Sequence, residues 1–422
     1  MAWETWTTSD PARKVLWISC SLVLIALFIV AAWALDLSVP YLPLAVAGGM
    51  VFYLRNWPSV QELIAWIVAS HAFALIVHFP HDHNWINTGA GVMSLFGLGA
   101  FLMLGLRWLW STGAERRKTY AVLAPGAAMV LFVLSAQRAL SLANVLYAKT
   151  FDLYLYVVDG SFGFQPSFLM GRAMATSSVL RVACLLTYIS LPFVMALVYA
   201  LRLPKGTERP SWDIITLFLL AGLGGWALYN VVPATGPVYV FADSFPWRAL
   251  PYKSLPRLFL ELVPVNSGIP RNAIPSLHMA WAMLLFWNTK GRSRGLRIFL
   301  AVYAGMTVVS TLGTGEHYFV DLVAGVPFAL AVQAVVSPDG KASFSRRAMA
   351  AGAGLALTMG WLLLARFGAK AMLVSPILPW SLVAASGVAV WRIKVWLDLV
   401  LNAASELANT AQRNVLASSA HG

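Results

Sequence analysis

The stretch LRIFLAVYAGMTVVSTLGTGEHYFVDLVAGVPFALAVQAVV, residues 296–336, decides the fold class. It holds two apolar runs, each long enough to cross a bilayer as a helix. Glu316, His317 and Asp321 lie where the two runs meet. Because ionisable groups at a membrane-length segment are costly, we expect these side chains to have a function or a close partner.

The rest of the chain repeats this apolar pattern. Of the 422 residues, 59% are hydrophobic and 11% are charged, whereas soluble domains are about 45–50% apolar and about 25% charged. We therefore predict an all-α polytopic membrane protein with about twelve transmembrane helices. The predicted spans are 15–35, 39–55, 59–78, 88–110, 119–146, 176–201, 212–232, 276–289, 296–314, 317–336, 347–366 and 372–391.

The formal net charge of +13 comes mostly from Lys and Arg in short loops. A basic balance can indicate nucleic-acid binding, but basic short loops are typical of the cytoplasmic side of membrane proteins. We therefore expect a membrane setting and no nucleic-acid partner. With a cytoplasmic N-terminus, this rule puts the loops 233–275 and 314–317 at the outer face.

Segment 147–175 differs from the spans around it because it mixes aromatic residues with Asp152, Asp159 and basic side chains. This composition suits a helix or loop that lies in the outer membrane interface. Two interpretations are open: an aromatic belt with satisfied charges, or a lid over a lipid-entry site.

His317 and Asp321 form the first candidate pair. Their spacing of four residues puts them on one face of a helix, where they can touch. A carboxylate beside an imidazole fixes its tautomer and raises the basicity of the far nitrogen. Such a histidine can act as a nucleophile or a general base, although a structural ion pair would also explain the spacing.

The second candidate lies in GIPRNAIPSLHMAWAMLLF, residues 268–286. Ser276 before an apolar run is an N-cap signal, and a helix N-terminus binds anions, phosphate above all. His278 lies in the first turn, and Arg271 could add a bidentate fork for phosphate. The hairpin of spans 276–289 and 296–314 brings His278 and His317 to one face of the membrane, so we predict a phosphoryl-transfer site.

These residues resemble the type-2 phosphatidic acid phosphatase superfamily. Its signature P-S-G-H appears as residues 275–278, with Leu277 in place of Gly. Its signature S-R-x5-H-x3-D appears from Ser310 to Asp321. The forms PSLH and HYFVD, and NVVPATGPVY at 230–239, look most like the branch of the inositol phosphorylceramide synthases, the aureobasidin-resistance proteins.

The resemblance covers about 119–336 and implies a domain organisation. We expect a four-helix N-terminal membrane region at 1–118 and a six-helix phosphatase-like core at 119–338. Two C-terminal helices and a polar tail then fill 339–422. We further expect an integral protein of a bacterial inner membrane with its active site facing the periplasm.

The resemblance also implies roles for the site residues. His317 attacks phosphorus and becomes phosphohistidine, Asp321 orients it, and His278 protonates the leaving oxygen. Ser276 and nearby backbone donors hold the phosphoryl oxygens. No metal and no cofactor are implied, because the histidine replaces a metal-bound water as nucleophile.

Two departures from the family pattern leave the site short of positive charge. Thr311 replaces the Arg of the third signature, and the first signature, K-x6-R-P, is missing from loop 233–275. A similar motif at 202–210 falls on the cytoplasmic side, so we exclude it. The candidate cations are Arg271 first, then Arg248, Lys253 and Arg257, or Arg138 inside the predicted span 119–146, which could instead make a helix contact.

Two reactions share the implied intermediate. Water would make the protein a phosphatase of polyprenyl phosphates or phosphatidate, whereas an alcohol such as inositol or ceramide would make it a head-group transferase. The missing Arg and the branch resemblance favour the transferase. A lipid transporter is the alternative from another class, but the chain lacks the paired Gly/Pro-broken helices typical of transporters.

Overall fold

The computed structural model describes residues 11–34, 41–77, 85–202, 213–289, 293–337 and 344–419. In these ranges the regular secondary structure is helical, apart from one antiparallel pairing of two-residue strands, β1 (Lys149–Thr150) and β2 (Val263–Pro264). The helices are α1 (Pro11–Trp33), α2 (Leu42–Arg55), α3 (Val60–Ala74), α4 (Trp85–Trp110), α5 (Gly113–Leu146), α6 (Asp152–Gly160), α7 (Pro166–Thr176), α8 (Ser178–Ile189), α9 (Leu191–Arg202), α10 (Asp213–Tyr229), α11 (Pro237–Phe241), α12 (Leu277–Trp287), α13 (Arg294–Gly313), α14 (Phe319–Val336), α15 (Phe344–Phe367) and α16 (Ile377–Ser419). Short 3-10 turns occupy Ala242–Ser244, Tyr252–Arg257 and Ala371–Val374.

The helices agree with a polytopic membrane protein, but the predicted count of about twelve spans is not confirmed. Among the described residues, six helices are long and apolar enough to cross a membrane, or seven if α7 and α8, bent by 118°, form one broken span. The six are Val15–Trp33, Thr88–Trp110, Gly113–Leu146, Arg294–Gly313, Phe319–Val336 and Phe344–Phe367. Five further apolar helices are shorter.

The predicted span 176–201 is divided into α8 and α9. Pro192 is the second residue of α9. Proline lacks the backbone N–H that a continuing helix needs, and its fixed backbone angle suits the first turn of a new helix. The sequence therefore predicted the apolar character of this segment correctly, but it did not predict that the helix ends at Ile189 and a new one begins at Leu191.

The chain divides into two compact units. The first comprises Met1–Gln137 and Ile189–Ile215. Within it, α2 packs against α4 and α9, and α1 and α3 pack against α4. Phe52 meets Tyr199 edge to face at a centroid distance of 5.8 Å. Arg107 pairs with Glu62 and Glu115 at 3.8 and 2.5 Å.

The second unit comprises Arg138–Tyr188 and Thr216–Gly422. Helix α14 is its central element and packs against α12, α15 and α16, while α13 packs against α7 and α12. The apolar core joins Leu155 of α6, Val320 and Ala324 of α14, and Trp361 and Leu362 of α15. The start of α14 is therefore held in a packed interior, which limits the movement of the residues just before it.

Both interpretations of segment 147–175, the aromatic belt and the lid, stay predictions, but the structure shows how its two acidic side chains are satisfied. Helix α6 is mostly buried, and Asp152 and Asp159 have no exposed surface. Buried carboxylates need hydrogen-bond donors. Asp159 receives them from the first turn of α14 and Asp152 from the loop before α11, and side-chain hydroxyls add to both.

Candidate active site

The start of α12 is built against the first turn of α14. Ser276 is the N-cap of α12 and accepts a hydrogen bond from the Met279 N–H at 3.4 Å. The Ser276 N–H donates to the Asp321 carbonyl oxygen at 2.9 Å. At Gly325 an added Cβ would lie 2.6 Å from the Ser276 carbonyl oxygen, so this approach requires glycine.

His317 faces this helix start from the loop between α13 and α14. Its Nε2 lies 3.4 Å from Ser276 Oγ, and its Nδ1 lies 2.9 Å from the Ala273 carbonyl oxygen. The His278 ring lies 6.1 Å away, centroid to centroid. We assign the imidazole proton to Nδ1, because the carbonyl can only accept. The lone pair of Nε2 is then directed towards the start of α12.

Asp321 lies near His317, but its shorter hydrogen bond is to the backbone N–H of Tyr318. Its Oδ2 is 3.4 Å from His317 Nδ1 and 2.7 Å from the Tyr318 nitrogen, whose N–H it accepts. A carboxylate in the first turn of a helix readily bonds the N–H groups there. The Ala273 carbonyl is thus the nearer partner of His317 Nδ1, and Asp321 is the second.

Two buried aspartates, which the sequence analysis noted but did not assign to the site, bind backbone groups of the same region. Asp159 accepts the Phe319 and Val320 N–H groups at 2.7 and 3.0 Å. Asp152 accepts the Gly236 N–H at 2.8 Å. The signal in the sequence is their spacing of seven residues, which puts both carboxylates on one face of a helix.

Glu316, which precedes the histidine, has its own partners. Its two carboxylate oxygens accept hydrogen bonds from the hydroxyls of Tyr188 and Tyr239, each at 3.1 Å. The Tyr188 ring stacks on His278 with centroids 4.0 Å apart and planes 21° apart. Gly236, at φ 113°, lies so close to Glu316 that an added Cβ would come within 2.5 Å of the Glu316 carbonyl oxygen.

Residues 153–335 match the model of the PAP2 superfamily. The resemblance to this superfamily is therefore confirmed over that range, whereas the inositol phosphorylceramide synthase branch is not. The matched range includes Ser276, His278, His317 and Asp321. No curated protein and no solved structure matches the chain.

Arg271, the first of the predicted phosphate-binding cations, instead binds backbone carbonyl oxygens. Arg271 is 1% exposed. Its Nε donates to the Tyr147 carbonyl oxygen at 3.0 Å, its Nη2 to that of Val265 at 2.8 Å, and its Nη1 to that of Asn266 at 2.8 Å. Nη1 also donates to the Ile269 carbonyl oxygen. The guanidinium therefore clamps the loop and does not extend its fork towards His317.

The other predicted cations are on the surface. Side chains of Arg138, Arg248, Lys253 and Arg257 are exposed. Thr311, which replaces the signature Arg, is buried and donates to the Thr307 carbonyl oxygen at 2.8 Å. Of the excluded motif at 202–210, Arg202 ends α9 and the remainder lies outside the described residues.

Burial shifts the pKa of two groups at the candidate site. It lowers the pKa of His317 to about 4, against weaker opposing effects of Glu316 and the Ala273 hydrogen bond. The imidazole is therefore neutral at pH 7, the form that a nucleophile needs. Burial also raises the pKa of Asp159 to about 7, against the hydrogen bonds that favour its charged form.

Proposed function

We propose that the protein is an integral membrane lipid phosphatase or phosphotransferase that works through a phosphohistidine intermediate. One observation carries the proposal: the unprotonated Nε2 of His317 faces Ser276 at the N-terminus of α12, with His278 in the first turn of that helix. A nucleophile, a phosphate-binding helix start and a second histidine are the parts that phosphoryl transfer needs. The match to the PAP2 superfamily supports the same reaction class.

In the first step, His317 Nε2 attacks phosphorus and a P–N bond forms. The bond from phosphorus to the lipid alcohol breaks, and the protonated form of His278, stabilised by the anionic phosphate next to it, gives its proton to the leaving oxygen. The Ala273 carbonyl and Asp321 stabilise the positive charge that develops on the His317 ring. Ser276 and the backbone donors at the start of α12 bind the phosphoryl oxygens.

In the second step, an acceptor hydroxyl attacks phosphorus, the P–N bond breaks, and His278 takes the proton from the acceptor. Water as acceptor gives a phosphatase, and inositol or ceramide gives a head-group transferase. The surroundings of the site favour the transferase. A phosphodiester carries one negative charge, whereas a monoester carries about −1.5 to −2. A diester donor therefore needs less positive charge than a monoester, and Thr311 and Arg271 supply none towards His317.

We further propose that the site faces the outside of the membrane, in a bacterial inner membrane towards the periplasm, because the positive-inside rule assigns the basic short loops to the cytoplasmic side. The donor is a phospholipid or lipid phosphate. Sphingolipid chemistry is proposed from the branch resemblance alone. The lipid transporter is the second candidate, but a pair of histidines at one face suits chemistry better than transport.

The test is product analysis by mass spectrometry with purified protein in detergent. The donors are phosphatidate, a polyprenyl phosphate and phosphatidylinositol, each with and without inositol or ceramide. We compare the wild type with His317→Ala and with His71→Ala, which changes an exposed histidine of α3 as a matched control.

We expect turnover of at least one donor by the wild type and the His71 variant, and none by the His317 variant. A labelled donor should leave an acid-labile, base-stable phosphoryl group on the peptide that contains His317. Turnover by His317→Ala above about a tenth of wild type would overturn the assignment, because losing a nucleophile costs several orders of magnitude.

A further inference from the structure

We propose that Asp159 and Asp152, on one face of α6, are positioning residues that together fix the imidazole of His317. The inference rests on the proposed function, in which His317 is the nucleophile. Neither carboxylate contacts the imidazole, so each acts through other groups. Asp159 acts on the backbone that carries His317, and Asp152 acts on the loop that leads to its hydrogen-bond acceptor.

The first arm is Asp159. Its Oδ2 and Oδ1 accept the Phe319 and Val320 N–H groups at 2.7 and 3.0 Å. These are N–H groups of the first turn of α14, which have no partner within the helix. The N-cap residue, Tyr318, makes no side-chain hydrogen bond of this kind. Asp159 therefore supplies the missing cap from another helix and fixes where α14 begins, two residues after His317.

Ser167 extends this arm to His317 itself. Its hydroxyl lies 3.2 Å from Asp159 Oδ2 and 3.0 Å from the carbonyl oxygen of His317. Ser167 is 1% exposed, so this contact is shielded from water. The hydroxyl thus holds the main chain of the nucleophile to the same carboxylate that caps α14.

The second arm is Asp152. It accepts the Gly236 N–H at 2.8 Å, and the Thr235 N–H and hydroxyl at 3.1 and 3.2 Å. The residue before Thr235 accepts, through its carbonyl oxygen, the Ala273 N–H at 3.0 Å. The Ala273 carbonyl in turn accepts His317 Nδ1–H. Asp152 thereby anchors the loop that holds the acceptor of the imidazole proton.

The two arms meet at Tyr318. Its hydroxyl lies 3.2 Å from Asp152 Oδ1, and the N–H of the next residue, Phe319, donates to Asp159 Oδ2 at 2.7 Å. Helix α6 thus carries the two carboxylates that hold the backbone next to His317 and the loop of the Ala273 carbonyl, which accepts the His317 Nδ1–H. Because a misplacement of about 1 Å can cost about a hundredfold in rate, loss of either arm should lower kcat while substrate binding is retained.

The experiment compares two variants of the first arm with a matched control. Ser167→Ala removes one hydroxyl, and Asp159→Asn replaces one of two acceptor oxygens with a donor. Ser161→Ala is the control, because Ser161 is equally buried but its hydroxyl bonds only the Val158 carbonyl of α6. Asp152→Asn tests the second arm, with Asp243→Asn, an exposed carboxylate, as its control.

Two readouts are measured on folded protein. The first is kcat and KM, measured with whichever of the three donors named above the wild type turns over fastest. The second is the affinity for orthovanadate, a mimic of the phosphoryl-transfer transition state. We expect kcat to fall at least about fivefold in Ser167→Ala and further in Asp159→Asn, with KM within about threefold. Orthovanadate binding should weaken by a factor similar to that in kcat, and both controls should match the wild type.

The experiment separates failure of the positioning role from failure of the proposed function. If the wild type is active and Ser167→Ala keeps its kcat and orthovanadate affinity, the positioning role is overturned and the proposed function stands. If Asp159→Asn does not fold, the decision rests on Ser167→Ala. If the wild type neither turns over any lipid nor binds orthovanadate, the proposed function itself fails, and the positioning role fails with it.

Discussion

Replacing Arg271 by Ala distinguishes the two roles that this residue could have. From its place before the Ser276 helix start, we predicted a phosphate ligand. The structure instead pairs its guanidinium with the carbonyl oxygens of Tyr147, Val265, Asn266 and Ile269. We therefore expect Arg271→Ala to act on folding stability before it acts on chemistry.

The expected loss of stability follows from these contacts. A hydrogen bond to a charged group contributes about 1.5–3 kcal/mol, so four give an upper bound of about 6–12 kcal/mol. Part of this is offset because the freed carbonyls regain water and the desolvation cost of the charge disappears. We expect Arg271→Ala to lower the free energy of unfolding by about 3–5 kcal/mol. That loss corresponds to a fall in Tm on the order of 10 °C.

The assay measures thermal unfolding in detergent and kcat per folded molecule in the same preparation. Arg257→Ala is the matched control, since Arg257 is an exposed arginine of the same loop and should leave Tm unchanged. Arg271→Lys should recover only part of the lost stability, because an ammonium cannot reproduce the planar fork. An unchanged Tm with kcat reduced at least about a hundredfold would refute this reasoning and restore Arg271 as the phosphate cation.

Three further predictions concern His317, its partner Asp321 and the orientation in the membrane. Asp321→Asn should lower turnover by about tenfold, far less than His317→Ala, because the Ala273 carbonyl still fixes the tautomer; equal losses in steady-state assays would contradict this. Because burial lowers the pKa of His317 to about 4, unfolding takes up a proton between about pH 6.5 and 4, and stability falls as pH falls through that window. NMR of protein with 15N-labelled histidine, read as the difference from His317→Ala, should find the ring neutral at pH 5.5; a protonated ring there would refute the shift. In a background without the two native cysteines, Ser267→Cys should react with an impermeant thiol reagent from outside, and Ser293→Cys only after permeabilisation; the reverse pattern would turn the site to the cytoplasm.

The site residues that could be predicted are those with a local signal. Ser276 before an apolar run marks a helix start. The spacing of His317 and Asp321 correctly predicted that the two side chains lie close together, but His317 lies in the loop before α14 and not on a helix face. The helical hairpin then brings His278 and His317 together, and their ring centroids are 6.1 Å apart. These steps use only neighbours in sequence and the alternation of membrane spans.

The parts that could not be predicted depend on contacts across long stretches of chain. Asp159 caps a helix that begins 160 residues later, and Arg271 bonds Tyr147 from 124 residues away. Sequence shows that a charge is present but not where its donors or acceptors point. For Arg271, nearness to Ser276 in sequence suggested a phosphate ligand, whereas the structure pairs it with carbonyl oxygens of residues 265, 266 and 269 and of Tyr147. The domain boundaries stay a prediction.

The N-termini of α12 and α14 differ in whether they are available to bind a phosphoryl group at a site with few cations. The N–H groups at the start of α14 are bonded by Asp321 and Asp159, so the positive end of that helix is already neutralised. The start of α12 faces His317 Nε2 through Ser276. A helix N-terminus is equivalent to roughly half a positive charge, about half of what the signature Arg would bring. Half a charge balances a large part of a singly charged phosphodiester but much less of a monoester with a charge of about −1.5 to −2. Under the proposed function, the capping of α14 and the replacement of Arg by Thr311 thus favour the same class of donor, because both leave the dipole of α12 to bind the phosphoryl group.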